Sequence, residues 1–287
     1  MEPALIVKLA AVLSIVLIVL SIGLGSTLGT GVRFLRDNPG QAARAMLAMF
    51  VAVPLFVLLV TWLVPLERPV RLALLALAVA PMPPILPRKQ TKVGGENDFI
   101  AGLLLVAPLV AIVVTPLFIM LAERVYSRDA SYDPLVEIKT LVITLAAPLL
   151  AGILFNRLAP STAAKLVRPV GLAGTVLLAL AALIILYFSL PAIRDAVGNG
   201  TLLTMALVVA FGLIAGYLLG GPEDGNRRAL AVATASRHPG VAIAVAAGAF
   251  PGDAKPIVAA VLLYLIINAL LGIAFTRLTR GSETAAA

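Results

Sequence analysis

Long apolar runs separated by short polar links dominate the chain. A helix needs about 20 mostly apolar residues to cross the hydrocarbon core of a bilayer. Measured against that length, the sequence predicts nine membrane-spanning segments: 4–28, 42–65, 70–93, 99–122, 135–156, 166–190, 202–220, 227–250 and 256–277. We therefore predict an all-α membrane protein made of one integral membrane domain over residues 1–287.

The composition supports a membrane environment. The 287 residues are 61% hydrophobic and 13% charged, with a mean hydropathy of +1.07. A soluble domain of this size cannot hide so much apolar surface in one core, whereas lipid can cover it. The net charge of +8 suggests nucleic acid binding only in a soluble protein. Here Lys and Arg lie in links between apolar runs, so the expected partner is the lipid bilayer and no nucleic acid.

The distribution of basic residues predicts an orientation. An odd number of spans places the two termini on opposite sides of the membrane. The links after segments one, three, five and seven, together with the C-terminal end, hold 13 Lys and Arg, against 8 on the other side. Because inner loops carry the excess of basic residues, we predict a C-terminus in the cytoplasm and an N-terminus outside the cell (inner) membrane.

Prolines interrupt the third segment. Residues 80–87 read Ala-Pro-Met-Pro-Pro-Ile-Leu-Pro, and Arg88 and Lys89 follow. Proline lacks the backbone N–H and clashes with the preceding turn, so we expect the chain to unwind between Pro81 and Pro87, including Pro84. Unwound backbone at membrane depth must be buried in protein or line water. A plain loop between two short spans is the alternative, although 70–80 alone is too short to cross a bilayer.

The eighth segment is interrupted as well. Residues 233–240 read Ala-Thr-Ala-Ser-Arg-His-Pro-Gly, and each flank is half a membrane long. Arg237 and His238, the only histidine, are therefore predicted near the midplane. A charge there costs at least about 2.5–3.5 kcal/mol on insertion scales, which favours a functional role. The alternative is a structural arginine bonded to loose backbone carbonyls.

The two interruptions lie five segments apart. An odd offset reverses the direction of the chain, which is the pattern of an inverted-topology repeat with one broken helix in each half. Half-helix N-termini offer unpaired N–H groups and a positive dipole to an anion. We therefore expect Pro81–Pro87 and Arg237–Gly240 to approach each other.

Other candidates for chemistry are weaker. Asn97 and Asp98 head the fourth segment, where capping of the helix is favoured over a role in binding. The sequence has no pair of histidines for a metal, no Ser-His-Asp arrangement and no ATP-binding motif. We therefore predict no enzyme and no metal site.

Several short motifs resemble the bile acid:sodium symporter family. They are Ile-Gly-Leu-Gly-Ser-Thr-Leu at 22–28, Phe-Val-Ala-Val-Pro-Leu at 50–55, the Ala80-Pro81 break, Gly95-Glu96-Asn97 and the residues 236–242. The resemblance implies inverted repeats, a panel and a core domain, and two broken helices that cross at the ion and substrate site. It assigns residues 70–122 and 202–277 to core-type helices, and 4–65 and 135–190 to panel-type helices.

The chain departs from that family where sodium binds. The family's glutamate in the second broken helix aligns with Ala233, and the amide positions that follow align with Arg237 and His238. The hydroxyl positions of the next segment align with Leu104, Leu105, Ala107 and Pro108. Because oxygen-liking cations need several hard oxygens, we expect sodium to have little effect on transport or ligand binding. Sodium coupling is the alternative. No other cofactor is predicted. Proline in both breaks also resembles the auxin efflux carriers, distant relatives that work without sodium.

Together these features predict a secondary transporter that moves a small organic anion by alternating access. Arg237, with Arg88 or Lys89, would attract the anion. Thr234, Ser236 and exposed carbonyls would orient it, and the prolines, with Pro239–Gly240 in the second break, would hold the crossing open. The alternatives are a proton-coupled or uncoupled carrier of a neutral or cationic solute, and a channel or membrane sensor.

Overall fold

The fold was obtained as a computed structural model, which describes residues 3–26, 28–83, 87–126, 139, 142–196, 198 and 200–284. Every regular element in these ranges is helical, as predicted. The α-helices are α1 (Pro3–Leu24), α2 (Leu28–Asp37), α3 (Pro39–Leu47), α4 (Val53–Leu63), α5 (Arg68–Val79), α6 (Pro87–Lys92), α7 (Asn97–Tyr126), α8 (Ala147–Leu158), α9 (Pro160–Ala196), α10 (Thr201–Leu219), α11 (Asp224–Ala235), α12 (Pro239–Ala249) and α13 (Ala254–Thr284). Ala48–Ala52 and Val142–Ala146 form π turns, and Pro251–Asp253 forms a 3₁₀ turn.

The lengths of these helices are those of a multi-pass membrane protein. Among the described residues, five helices are long and apolar enough to cross a bilayer: Pro39–Leu63, Asn97–Tyr126, Pro160–Ala181, Thr201–Leu219 and Ala254–Thr279. Val12–Leu24 and Val142–Leu158 are shorter apolar helices. The two interrupted segments are pairs of short helices, and part of the predicted segment 135–156 lies outside the described residues. The count of nine spans therefore stays a prediction.

Proline sets where several helices begin. Pro39 and Pro160 are the first residues of α3 and α9. The fixed φ of proline suits the first turn, where its missing N–H has no intrahelical partner to lose. For the same reason two boundaries differ from the prediction. Pro87 begins α6, and Pro239–Gly240 begins α12, so these residues are helical and the breaks are shorter than expected.

The helix α2 was not predicted. It lies in the link between the first two segments and carries exposed Arg33 and Arg36 opposite the buried Phe34. The Phe34 ring packs edge to face on Phe99 of α7, with 5.8 Å between the ring centroids. With ten residues, α2 is too short and too polar to be recognised from the sequence as a membrane-spanning segment.

Two groups of helices are recognised by their packing. In the first group, α1 packs most extensively against α8 and α9, and Gly23 and Gly152 let α1 and α8 meet backbone to backbone. In the second group, α10 packs along α11 through Gly212 and Gly216. The segment α3–α4 packs against α5 and α10, and therefore belongs with the second group by its contacts. The buried α5 lies between α12 and α13.

Candidate functional site

The two breaks meet in the structure. After Val79 the chain leaves the helical path, and after Ala235 it does so again for Ser236–His238. The backbone N–H of His238 donates to the carbonyl of Pro81, with 2.8 Å between nitrogen and oxygen. The predicted approach of the two interruptions is thereby confirmed for the described part of the first break, since 84–86 lie outside the described residues.

Prolines create the free carbonyls of the first break. In an α-helix, each carbonyl accepts from the N–H four residues later, and a proline at that position leaves it without a donor. Pro83 and Pro84 occupy these positions for the carbonyls of Val79 and Ala80. Thr115 Oγ1 of α7 donates to the Val79 carbonyl over 3.3 Å, and Arg237 Nη1 donates to the Ala80 carbonyl over 3.3 Å. Both replacements come from other helices.

A third free carbonyl comes from the π turn between α3 and α4. The N–H of Val53 bonds to the carbonyl of Ala48, five residues earlier. The next residue, Pro54, has no N–H, so the carbonyl of Met49 is left without a helical donor. Arg237 Nη2 donates to this carbonyl over 3.0 Å. One guanidinium therefore joins the second membrane segment to the first break.

The second break follows the same rule. Pro239 removes the N–H that would bond to the carbonyl of Ala235 in a continuous helix. Tyr264 Oη of α13 donates to that carbonyl over 2.9 Å. The neighbouring Ser236 Oγ accepts from Asn268 Nδ2, also of α13, over 3.2 Å. The helix α13 thus fixes the backbone on which Arg237 is presented.

Within the part of the chain that the structure describes, the guanidinium of Arg237 is enclosed by protein and bonded only to neutral groups. Its residue is 1% exposed, and its Nε has no hydrogen-bond partner among the described residues. No carboxylate in the described ranges lies within ion-pair distance of it. An isolated charge in such surroundings is normally neutralised by a counter-charge. Among the described residues, the site therefore has a positive charge without an acidic side chain to balance it.

Two more polar side chains beside the break are buried without a full set of partners. His238 Nδ1 accepts from the N–H of Val241 over 3.4 Å, so this nitrogen carries no proton. Its Nε2 and the hydroxyl of Thr234 are unpartnered within the described structure, and both residues are almost inaccessible. Ala233 is fully buried in an apolar cluster that includes Met49. On the other face of the break, Gly240 lies against Ile15 of α1.

The structure separates some of the predicted site residues from this centre. Glu96, immediately before α7, exchanges two hydrogen bonds with Asn226 in the first turn of α11: Glu96 N–H donates to Oδ1 over 2.9 Å, and Nδ2 donates to Oε2 over 2.8 Å. Asn226 precedes Arg237 by eleven residues, about 16 Å along a helix. Asn97 and Asp98 are exposed in the first turn of α7, at that distant end.

Of the two basic residues predicted to assist Arg237, the structure describes the side chain of Lys89 and not that of Arg88. Lys89 is exposed on α6. The side chains of Arg88 and Pro87, and the whole of Pro84, lie outside the described residues. The residues brought to the crossing are Pro81, Thr234, Ser236, Arg237, His238, Pro239 and Gly240.

Sequence reasoning did not identify the residues that form hydrogen bonds around the two breaks. Met49, Thr115, Tyr264 and Asn268 surround the breaks, and none of them was predicted as part of the site. A signal was available, because the position four residues before a proline in an α-helix, or five residues before it in a π turn, marks a carbonyl that needs a donor. That signal locates the carbonyl and leaves the donor unidentified.

The sequence matches the model of the Sodium Bile acid symporter family over residues 12–195. The match covers more than half of the chain, and the chain therefore belongs to this family of membrane transporters. No curated protein matches the chain. The matched region includes the first break and ends before the second, so Arg237 and His238 lie outside it.

Proposed function

We propose that this member of the Sodium Bile acid symporter family is a secondary transporter that moves a small organic anion by alternating access. Its place is the cell (inner) membrane, with the N-terminus outside and the C-terminus in the cytoplasm. The observation that carries the proposal is the fully buried guanidinium of Arg237, which lies at the meeting of the two breaks without a carboxylate partner in the described structure.

The charge and the donors of this site suit an anion. A guanidinium has five N–H donors, of which the carbonyls of Ala80 and Met49 use two. The remaining donors include the unpartnered Nε–H, and the unpartnered groups of His238 and Thr234 add to them. Charge-assisted bonds from arginine to a carboxylate, sulfonate or phosphate are roughly twice as strong as neutral ones. Attraction between opposite charges also rises in an environment of low dielectric constant.

Three contacts connect the two broken helices and support the proposal that they move as one body. One contact lies at each end of the pair and one lies in the middle: Glu96–Asn226, Pro81–His238 and Arg68–Asp253, the last with 3.5 Å between Nε and Oδ2. In the proposed mechanism this body is the core, and it rocks against a panel.

The packing also suggests how the two bodies are composed. We assign α1, α8 and α9 to the panel, and α3–α7 with α10–α13 to the core. This division places the segment Pro39–Leu63 in the core, whereas the sequence-based grouping had 4–65 in the panel. The reason is the bond from Arg237 to the carbonyl of Met49 and the packing of α4 on α5 and α10. In this scheme α5–α6 and α11–α12 are the counterparts of an inverted repeat.

Transport by the purified protein in liposomes tests the proposal. Labelled carboxylates and sulfonates should enter with saturable kinetics and show counterflow, and Arg237→Lys should retain only part of the flux. Arg237→Ala should abolish it at a temperature where the variant is folded, while Arg36→Ala on the exposed face of α2 serves as the matched control.

Other outcomes identify the alternatives. Flux that does not saturate indicates a channel. Flux of neutral or cationic solutes that persists in Arg237→Ala indicates a proton-coupled or uncoupled carrier of such solutes. The absence of flux with retained ligand binding indicates a membrane sensor.

A further inference from the structure

We propose that the guanidinium of Arg237 takes the place of the mobile cation that the name of the family implies. In this view the protein has a tethered internal cation at the crossing, and no sodium ion binds or travels with the substrate. The inference deepens the proposed function, because it concerns the same site. Its consequence for ion coupling rests on the proposed transport function.

The groups bonded by Arg237 are of the kind that hold metal ions in membrane proteins. Backbone carbonyls that point inward can replace the hydration shell of a cation. The carbonyl of Met49 lies in the π turn before α4 and that of Ala80 lies in the first break, and prolines leave both without helical donors. Arg237 reaches them with two nitrogens over 3.0 and 3.3 Å. A cation is therefore already present where these carbonyls converge.

The residues around the crossing do not fit sodium. Hard cations bind to carboxylate, hydroxyl and carbonyl oxygens. Ala233, Leu105 and Ala107 lie in apolar clusters and offer no side-chain oxygen, which leaves the Thr234 hydroxyl as the unpartnered side-chain oxygen beside the second break in the described structure. The described residues contain no cluster of three acidic or histidine side chains for a metal.

Electrostatics also disfavours a second cation. Two unit charges about 5 Å apart repel each other by roughly 3 kcal/mol at an effective dielectric constant of 20. A sodium ion at the same carbonyls would have to overcome this repulsion from Arg237. It would also displace the hydrogen bonds that the guanidinium makes. The structure therefore favours one permanent cation over an exchangeable one.

A tethered cation has a consequence for coupling. Arg237 is part of the chain and returns with it in each cycle, so it cannot carry energy from a sodium gradient. We therefore expect sodium gradients to leave transport unchanged.

Thermal unfolding of the purified protein, measured without any substrate, tests the inference. The variants are Arg237→Lys, Arg237→Gln and Arg237→Met, which have similar lengths and differ in charge and hydrogen bonding. We expect the Arg237→Lys variant to melt at a higher temperature than the Gln or Met variant, since only Lys keeps a cation at the two carbonyls. Wild-type protein should melt at the same temperature in sodium, potassium and choline chloride of equal concentration.

A rescue experiment adds a second measurement. Arg237→Ala opens a space at the two carbonyls, and millimolar guanidinium chloride should raise the melting temperature of this variant in a saturable way. The wild-type protein, whose own guanidinium occupies the place, should show no such increase, and urea should rescue neither.

Three results would overturn the inference: stabilisation of the wild type by sodium over potassium, a Met variant as stable as the Lys variant, or an Arg237→Ala variant that guanidinium does not rescue. None of these measurements depends on which solute is carried. If the stability order holds while anion flux is absent, only the proposed transport of anions fails.

Discussion

The hydroxyl of Tyr264 lies 2.9 Å from the carbonyl oxygen of Ala235, where Pro239 has removed the helical donor. The hydroxyl of Thr115 has the same relationship to Val79, four residues before Pro83. A break in a buried helix is therefore accompanied by a donor from another helix. Such donors are expected to matter for stability, because a buried carbonyl without a partner keeps its full desolvation penalty.

Replacing Tyr264 by Phe tests this point. The substitution removes the hydroxyl, keeps the ring, and leaves the Ala235 carbonyl unpaired. We expect the free energy of unfolding to fall by about 1–3 kcal/mol, measured by thermal or denaturant unfolding in detergent. Tyr187→Phe is the matched control, because Tyr187 is 71% exposed on α9 and should change stability little. Equal effects of the two substitutions would contradict the assigned role of Tyr264.

Local sequence predicted the breaks but not their partners. Proline at 81, 83 and 84 forbids helix through steric and hydrogen-bonding rules that act over four residues, so the interruption could be read directly. The donors lie far away in sequence: Thr115 is 36 residues from Val79, and Arg237 is 188 residues from Met49. Their positions depend on how the helices pack, and no local rule contains that information.

Arg237 shows the same limit of prediction from sequence, because two interpretations of it were open. Its sequence position near the midplane indicated either an anion site or a structural arginine bonded to carbonyls. The structure provides the carbonyls, and it also leaves the Nε without a partner in the described ranges. The structural interpretation therefore applies to the two Nη atoms that bond to carbonyls, and the anion site remains open at Nε. Periodicity and composition do not count the N–H groups of a side chain, and so could not have revealed this.

The pair Glu96–Asn226 should join the two broken helices at the end distant from Arg237. A double-mutant cycle with Glu96→Ala and Asn226→Ala measures the coupling, which we expect to be about 0.5–1.5 kcal/mol. Asn226→Ala should be the more harmful single change, because it removes two hydrogen bonds and Glu96→Ala removes one. The readout is the free energy of unfolding, with exposed Glu67→Ala as a control. Purely additive effects would show that the contact does not stabilise the core.

Two glycines should differ sharply in their tolerance of alanine. A Cβ on Gly225 would overlap the carbonyl oxygen of Gly94, which is backbone and cannot turn aside. A Cβ on Gly252 meets nothing within 4 Å. We expect Gly225→Ala to lower the melting temperature strongly or to prevent folding, and Gly252→Ala to behave as wild type. Similar melting temperatures for the two variants would contradict the close approach of the α11 start to the loop before α7.

The predicted orientation is tested by reporters at the C-terminus. A reporter that is active only in the cytoplasm should be active when fused there, because more Lys and Arg lie on that side of the membrane. A reporter that is active only outside the cell should be silent. The opposite pair of results would mean that the number of spans is even or that the N-terminus is inside.

The last prediction concerns the contact between Ile15 of α1 and Gly240 of α12. A Cβ on Gly240 would lie 2.5 Å from Ile15 Cδ1, the far end of a flexible side chain. The next contacts of this Cβ, with Ile15 Cγ1 and His238 Cε1, are at 3.2 and 3.3 Å, so a small shift of Ile15 accommodates it. Alanine then stabilises the fold by about 0.4–1 kcal/mol, because it restricts the unfolded chain. In the proposed mechanism, however, Ile15 belongs to the panel and Gly240 to the core, and the two must slide past each other. We expect Gly240→Ala to keep or raise the melting temperature while it slows transport several-fold. Ile15→Val removes the Cδ1 atom, so the double variant should recover most of the rate. A double variant as slow as Gly240→Ala alone would show that this contact does not lie between moving bodies.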